Sequence, residues 1–460
     1  MQIGVYDNLK SSGSAWLGDI PTHWGAQKLK FLATVQPSNV DKKTVEGEEP
    51  VILCNYTDVY KNEYIDSRLE FMQASATEAE IKKFKVDVGD VIVTKDSETP
   101  EDIAVPACVA EDIEGLVCGY HLTQIKPIDL HGRYLFRLFQ SKGFNAQFTV
   151  AANGVTRFGL PQYAIANAFT PLPPFEEQLA IAQFLDFKTA QIDALIAKKQ
   201  TLLEKLAEKR TALISHAVTK GLDPSVPMKD SGVAWLGEIP AHWNTIRLRH
   251  ASDFVTSGSR GWAEFYSNEG SVFLRITNVS RHSVQLLLND IRRVSPPDTA
   301  EGKRTATKGG DVIISITADL GSVAVVPDGF ESAYVSQHLA LVRPNSNHVT
   351  GQWLAYQIFS SAGQAQLLGA GYGGTKIQLG LNDIKDMWLA LPPEHEQKDI
   401  CLRISAALDA TERQVYSITM VIDRLQEYRS ALITNAVTGK IDVRGIKVPP
   451  QSEQQELAHA

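Results

Sequence analysis

A chain of 460 residues is long enough for two or more cores, and an apolar fraction of 43% with a charged fraction of 21% is that of an ordinary globular protein. The net charge of −8 excludes a simple basic coat for nucleic acid, although a local basic surface stays open. There is no apolar run of membrane-spanning length and no N-terminal signal pattern, and Cys54, Cys108, Cys118 and Cys401 form no C-x-x-C pair. No membrane partner, disulfide framework or structural zinc is therefore expected, and a reduced cytoplasm fits best.

The first predicted element, within 1–24, is a compact turn. Trp16-Leu17-Gly18-Asp19-Ile20-Pro21-Thr22-His23-Trp24 places Gly18 and Pro21, which oppose a long regular element, between two tryptophans that pack it. His23 has no acid nearby except Asp19, so it reads as a structural histidine among aromatics. Residues 25–172 read as an α+β domain in which Gly89-Asp90-Val91-Ile92-Val93-Thr94 turns into a β-branched strand. Lys95 and Ser97 follow in the loop, then His121-Leu122, then Gly154-Val155-Thr156-Arg157. Residues 173–223 read as a long helix entered through Pro173-Pro174 and stopped at Gly221.

The same order then repeats. Trp16 returns as Trp235 and Pro173 as Pro392, both at an offset of 219 (235 less 16). Residues 224–243 carry the linker and the repeated tryptophan segment, in which His242 and Glu238 mirror His23 and Asp19. Residues 244–391 form a second α+β domain, 392–445 a second long helix with Gly439 as its stop, and 446–460 a Gln- and Pro-rich tail predicted to be disordered. Inside the second domain Gly310-Asp311-Val312-Ile313-Ile314 matches the first strand, His338-Leu339 matches His121-Leu122, and Gly374-Thr375-Lys376 matches the Thr156 loop.

Both helices carry a heptad seam in one register. Leu185, Ile192, Ile196, Leu203, Leu206 and Leu213 lie on the first, and Ile404, Leu408, Val415, Ile418, Ile422, Leu425 and Leu432 on the second. Two equal seams in one chain predict antiparallel pairing and a twofold-like relation between the domains. About 40 helical residues would span ~60 Å, a bar with one domain at each end.

Reaction chemistry is not visible. Leu172-Pro173-Pro174-Phe175 lacks the Asn or Asp that an amino-methyltransferase motif needs. Asp90 and Lys95 lack the intervening acid of a nuclease cluster, and neither a P-loop nor a G-x-S-x-G or H-E-x-x-H motif occurs. No catalytic and no metal-binding residue is assigned.

The doubled Trp-Leu-Gly-(Asp/Glu)-Ile-Pro-x-His-Trp segment, with the doubled Leu-Pro-Pro-x-x-Glu-Gln that opens each helix, resembles the specificity subunit of type I restriction–modification enzymes from about Ser12 to Gly445. Glu394 departs from the pattern, standing where an apolar residue is commoner. The resemblance implies two target recognition domains that read an asymmetric, bipartite double-stranded DNA sequence, with the helix pair setting the unread spacer. It also implies partners: two methyltransferase subunits and translocating restriction subunits, which would hold the S-adenosylmethionine, ATP and Mg²⁺ that this chain has no motif for. The alternatives are a methyltransferase complex without restriction, a coiled-coil scaffold, and an enzyme whose chemistry is not recognisable.

For DNA contact the candidates are Thr156 with Arg157 and Thr375 with Lys376, which combine a flexible backbone, a hydroxyl and a cation suited to phosphate. Their alternative is an ordinary turn. Lys95 and Ser97 join them from the divergent loop. The stretch from Trp24 to Phe169 is net acidic, whereas that from Trp243 to Leu389 is about neutral and rich in arginine. Arg260, Arg275, Arg281 and Arg304 are the guanine-reading candidates there, a solvated surface being the alternative for each.

Overall fold

The computed structural model describes residues 4–371 and 378–449. Two units emerge. One is the chain up to Lys199 together with the chain from Met420 on; the other is Gln200–Thr419. Each contains one α+β domain and parts of both long helices, Phe175–Lys220 and Glu394–Val437.

In the first unit a mainly antiparallel sheet has the strand order Ala33–Pro37, Leu122–Pro127, Val91–Thr94, Pro106–Val109, Tyr64–Ile65. A second sheet has the order Leu116–Cys118, Glu49–Cys54, Met72–Ala76. The second unit repeats the plan with Ser252–Ser257, Leu339–Pro344, Val312–Ser315 and Val323–Val325, beside Tyr266–Ser267, Arg292–Val294, Ser271–Leu274 and Ala333–Val335. The central strands Val91–Thr94 and Val312–Ser315 are buried at every residue, which is why they read as unbroken β-branched runs rather than alternating ones. A close backbone approach recurs as well. A Cβ on Gly132 would lie 2.0 Å from Gly89 O, and one on Gly351 2.1 Å from Gly310 O, so only glycine lets each helix begin against the turn that feeds the central strand.

Within each unit the long helices run antiparallel. In the first, the Tyr134 hydroxyl lies 3.1 Å from Pro171 O, just before one helix starts, and 3.2 Å from Val437 O, where the other ends. In the second, Gln357 does the same work: its Nε2 donates to Val218 O at 2.7 Å and its Oε1 accepts from Ala390 N–H at 3.3 Å. Leu185, Ile192, Ile196, Ile422 and Leu432 are buried and Leu425 is half-buried in the first unit. In the second, Ile404 is buried and Leu203, Leu206, Leu213, Leu408, Val415 and Ile418 are half-buried. Gln191, Lys198, Glu204 and Arg413, off the seam, are exposed.

The repeated motifs meet in space. The turn segment is a small hairpin, Leu9–Ser11 against Asp19–Pro21 and Met228–Asp230 against Glu238–Pro240. The predicted packing by both tryptophans is corrected: Trp24 and Trp243 are fully buried, whereas Trp16 and Trp235 are 43% and 52% exposed and Leu17 and Leu236 point inward instead. The acid beside each histidine is likewise neither Asp19 nor Glu238. His23 Nε2 lies 2.9 Å from Glu177 Oε2, and His242 Nε2 lies 2.8 Å from Glu396 Oε2, so the Glu of each Pro-Pro-x-x-Glu-Gln motif ties the helix start to the hairpin.

The Gln of that motif is fully buried. Gln178 accepts from His131 N–H at 2.8 Å and donates to Pro173 O at 3.0 Å; Gln397 accepts from Thr350 N–H at 3.3 Å and donates to His348 O and Pro392 O at 2.8 and 3.1 Å. Gln178→Leu therefore strands a buried donor and a buried acceptor. It is expected to destabilise the first unit by about 2–4 kcal/mol in urea unfolding. Glu394 costs no core contact, because its counterpart Phe175 is 55% exposed and Glu394 pairs with Lys398 at 2.6 Å.

Candidate nucleic-acid interface

In the first unit three loops converge beyond the central strand. Asp96–Ser97 pairs antiparallel with Phe158–Gly159, Lys95 N–H donates to His121 O at 3.0 Å, and Leu160 N–H donates to Lys95 O at 2.7 Å. Asn153 and Gly159 exchange backbone hydrogen bonds of 3.0 and 2.8 Å and close the turn that bears Thr156 and Arg157. Both residues are exposed, as is Val155 at the tip. The structure thus gathers Lys95, Ser97, Thr156 and Arg157 into one place.

Their roles in the geometry differ. Arg157 reaches outward, its guanidinium 3.7 Å from Asp96 Oδ2. Lys95 turns inward: Nζ donates to Ser38 O at 3.1 Å and sits 4.4 Å above the Tyr120 ring, and burial lowers its pKa against the pull of Asp96. Ser97 is buried, its Oγ accepting from Thr99 N–H at 3.3 Å. Five residues here were not among the sequence-derived contact candidates: Asp96, His121, Tyr120, Tyr56 and Tyr60. Asp96 bonds to His121 Nδ1, His121 sits at a φ of 72°, Tyr120 meets His121 edge-on at 4.2 Å, and Tyr56 stacks on Tyr60 at 5.4 Å. Burial first, then Asp102 and Asp96, raise the Tyr56 phenol, opposed by Arg157. The recurring His-Leu pair was the one available signal.

The second unit rebuilds the scaffold with other side chains. Ile316 N–H donates to His338 O at 3.1 Å, Leu379 N–H donates to Ile316 O at 3.0 Å, and Thr317 bridges Gln378, so Ile316, Thr317 and His338 stand where Lys95, Asp96 and His121 stand in the first unit. Thr317 Oγ1 lies 3.0 Å from His338 Nδ1. Thr375 and Lys376 lie outside the described residues. Of the arginines, Arg260 is exposed, its own N–H donating to Glu301 Oε1 at 3.1 Å. The other three are engaged within the unit: Arg275 with Asp290 at 2.7 Å, Arg281 with Asp319 at 2.7 Å and Leu320 O at 2.6 Å, and Arg304 with Ser257 O at 2.8 Å and with Thr256. Among the described residues no group of three or more His, Cys, Asp or Glu is placed to hold a metal ion, and no helix is long and apolar enough to cross a membrane.

One α+β frame, built twice and bearing different side chains on equivalent loops, defines a doubled α+β protein with two long helices. The chain is similar to the specificity subunits of type I restriction–modification enzymes. Residues 263–418 match the type I restriction modification DNA specificity domain. A Methanocaldococcus jannaschii protein assigned as the type I restriction enzyme MjaX specificity subunit is 23% identical over 434 residues, 93% of this chain and 96% of that one. The Escherichia coli type I restriction enzyme EcoBI specificity subunit is 22% identical over 308 residues, 65% of this chain and 64% of the relative. In fold, the chain is similar to one solved in a study of the complex assembly and conformational transition of the type I R-M system, with a TM-score of 0.69, 16% identity and coverage of 91% and 98%.

Proposed function

We propose that this chain is the non-catalytic, sequence-reading subunit of a type I restriction–modification system. Each α+β domain reads one half of a split double-stranded DNA target, and the chain recruits two methyltransferase subunits and restriction subunits. The observation that carries the reading is the equivalence of the two loop clusters, with Lys95, Asp96 and His121 in one replaced by Ile316, Thr317 and His338 in the other. An unchanged frame with changed side chains suits two readers of unlike sequences, so the full target is asymmetric.

Exposed Thr156, Arg157 and Arg260 are the residues proposed to reach phosphate or base edges. Arg275, Arg281 and Arg304, being held by neighbours, would have to exchange those bonds for DNA. S-adenosylmethionine, ATP and Mg²⁺ are assigned to the partner subunits. A cytoplasmic location goes with this reading.

Sequencing of methylated bases in host DNA, with and without the gene, tests it. The expected result is one asymmetric split motif that vanishes with the gene. Robust methylation by the purified chain alone with S-adenosylmethionine would overturn the non-catalytic assignment. Insertion of one heptad into both long helices is expected to lengthen the unread spacer and leave both half-sites unchanged; a changed half-site with an unchanged spacer would contradict the role given to the helices.

A further inference from the structure

Resting on that reading, we propose that His121 and His338 are base-reading residues of the two units, and that Asp96 is the positioning residue that decides which hydrogen-bonding face His121 offers. Three observations converge on His121. It recurs: each unit places a histidine at the same backbone station, its carbonyl accepting from Lys95 N–H at 3.0 Å in one and from Ile316 N–H at 3.1 Å in the other. It is held in the left-handed region, φ 72°, which a non-glycine residue adopts at a cost that recurs where function demands an orientation. And it is aimed, one ring nitrogen bonded to a largely buried carboxylate while the side chain keeps 38% of its surface. The ring lines a concavity of about 280 Å³ with Tyr56, Tyr120, Asn55 and Lys42.

The chemistry follows from the partner. An ionised carboxylate only accepts, so Asp96 requires the proton on Nδ1 of His121, and the neutral ring then turns a lone pair outward at Nε2. An acceptor at that point matches an exocyclic amino group, that of adenine or cytosine in the major groove. The second unit has a hydroxyl there. Thr317 Oγ1 lies 3.0 Å from Nδ1 of His338 and can donate or accept. The Gln337 amide Nε2, a donor, lies 3.2 Å from Nε2 of His338, so a base reaches that nitrogen by displacing Gln337 and the hydroxyl allows either tautomer to meet it. One histidine position is thus held to one outward face by Asp96 and left free to offer either face beside Thr317.

The test uses the intact complex from the host and the split motif found by methylated-base sequencing. Adenines are replaced one at a time by purine, and cytosines by the pyrimidinone lacking the amino group. Wild type is expected to lose about ten- to hundredfold in affinity at one position of one half-site. His121→Asn, which tolerates the left-handed backbone but is too short to reach, is expected to be indifferent to the analogue at that position and unchanged at the other half-site. Asp96→Asn, which donates to Nδ1 and moves the ring proton outward, is expected to shift the preference there from an amino base to guanine or thymine. His338→Asn is expected to relax only the opposite half-site. If His121→Asn keeps the wild-type analogue sensitivity and the wild-type methylated motif, the inference is overturned while the DNA reading stands. If wild type itself protects no split sequence, the reading fails and takes the inference with it.

Discussion

Arg137→Met is expected to destabilise the first unit by about 3–5 kcal/mol, the range for removing one partner of a buried ion pair. The side chain is 2% exposed and binds Asp186 Oδ1 at 2.9 Å, Glu63 Oε2 at 3.2 Å, Gln140 Oε1 at 2.8 Å, the Tyr64 hydroxyl at 3.1 Å and Thr189 Oγ1 at 3.1 Å. Arg429 extends the network, its Nε 2.8 Å from Asp193 Oδ1 and its other nitrogen paired with Glu63. Methionine keeps the volume but removes the buried cation shared by both acids, leaving Asp186 with Arg133 at 3.3 Å and Glu63 with Arg429, and it leaves the Tyr64, Thr189 and Gln140 oxygens without their donor. The same network fixes a pH dependence. Burial pushes the Glu63 carboxyl up, but Arg137 and Arg429 outweigh it and hold it below the usual carboxylate range. A depressed folded-state pKa adds stability above the unfolded value of about 4.3 and loses it as pH falls through the folded value, so the wild-type unit should weaken on the acid side of pH 4 and Arg137→Met should flatten that slope. Urea unfolding at pH 7 and pH 3.5 measures both. A loss below about 1 kcal/mol at pH 7 would contradict the weight given to the network.

Trp243→Ala is expected to cost about 3–5 kcal/mol, whereas Trp235→Ala in the same motif should stay within about 0.5 kcal/mol. Trp243 is fully buried and meets Trp353 edge-on at 5.8 Å, while Trp353 Nε1 donates to Ala390 O at 3.1 Å, so truncation opens a void under the hairpin and beside the helix end. A Cβ on Gly221 would already sit 3.4 Å from the Trp243 ring, a measure of how closely the helix stop packs there. The indole N–H of Trp243 has no hydrogen-bond partner among the described residues, so the ring acts by packing and Trp243→Phe should cost less than the alanine change. Thermal unfolding of the three variants ranks them. Equal losses at Trp235 and Trp243 would refute the assignment of one as core and the other as surface.

Much of the frame was legible from residue order. The central strands announced themselves as β-branched runs after a Gly-Asp turn, and the long helices as heptads free of Pro and Gly, because both signals are local periodicities. The loop cluster was legible in outline, since Lys95, Ser97, Thr156 and Arg157 share one place, but not in detail. Nothing near Lys95 in sequence says that its ammonium turns onto Tyr120 and Ser38 O. Asp96 and His121 went unassigned because they are 25 positions apart and their pairing depends on two strands lying side by side. Arg137 was invisible for the same reason: in Tyr134-Leu135-Phe136-Arg137-Leu138-Phe139 it looks like an interruption of an apolar helix, and its acids come from Glu63 and Asp186.

The sequence by itself determined that the protein is built twice, which elements each copy contains, and the class that the doubled motifs resemble, since repetition and periodicity survive without coordinates. The tertiary structure alone decided which tryptophan of each motif is core, which acid holds each repeated histidine, and which candidate side chains face outward. His23 meets Glu177, and His242 meets Glu396, across 154 positions of chain. Such a pairing follows from how sheets and helices close on one another, and no spacing rule in the linear order encodes it.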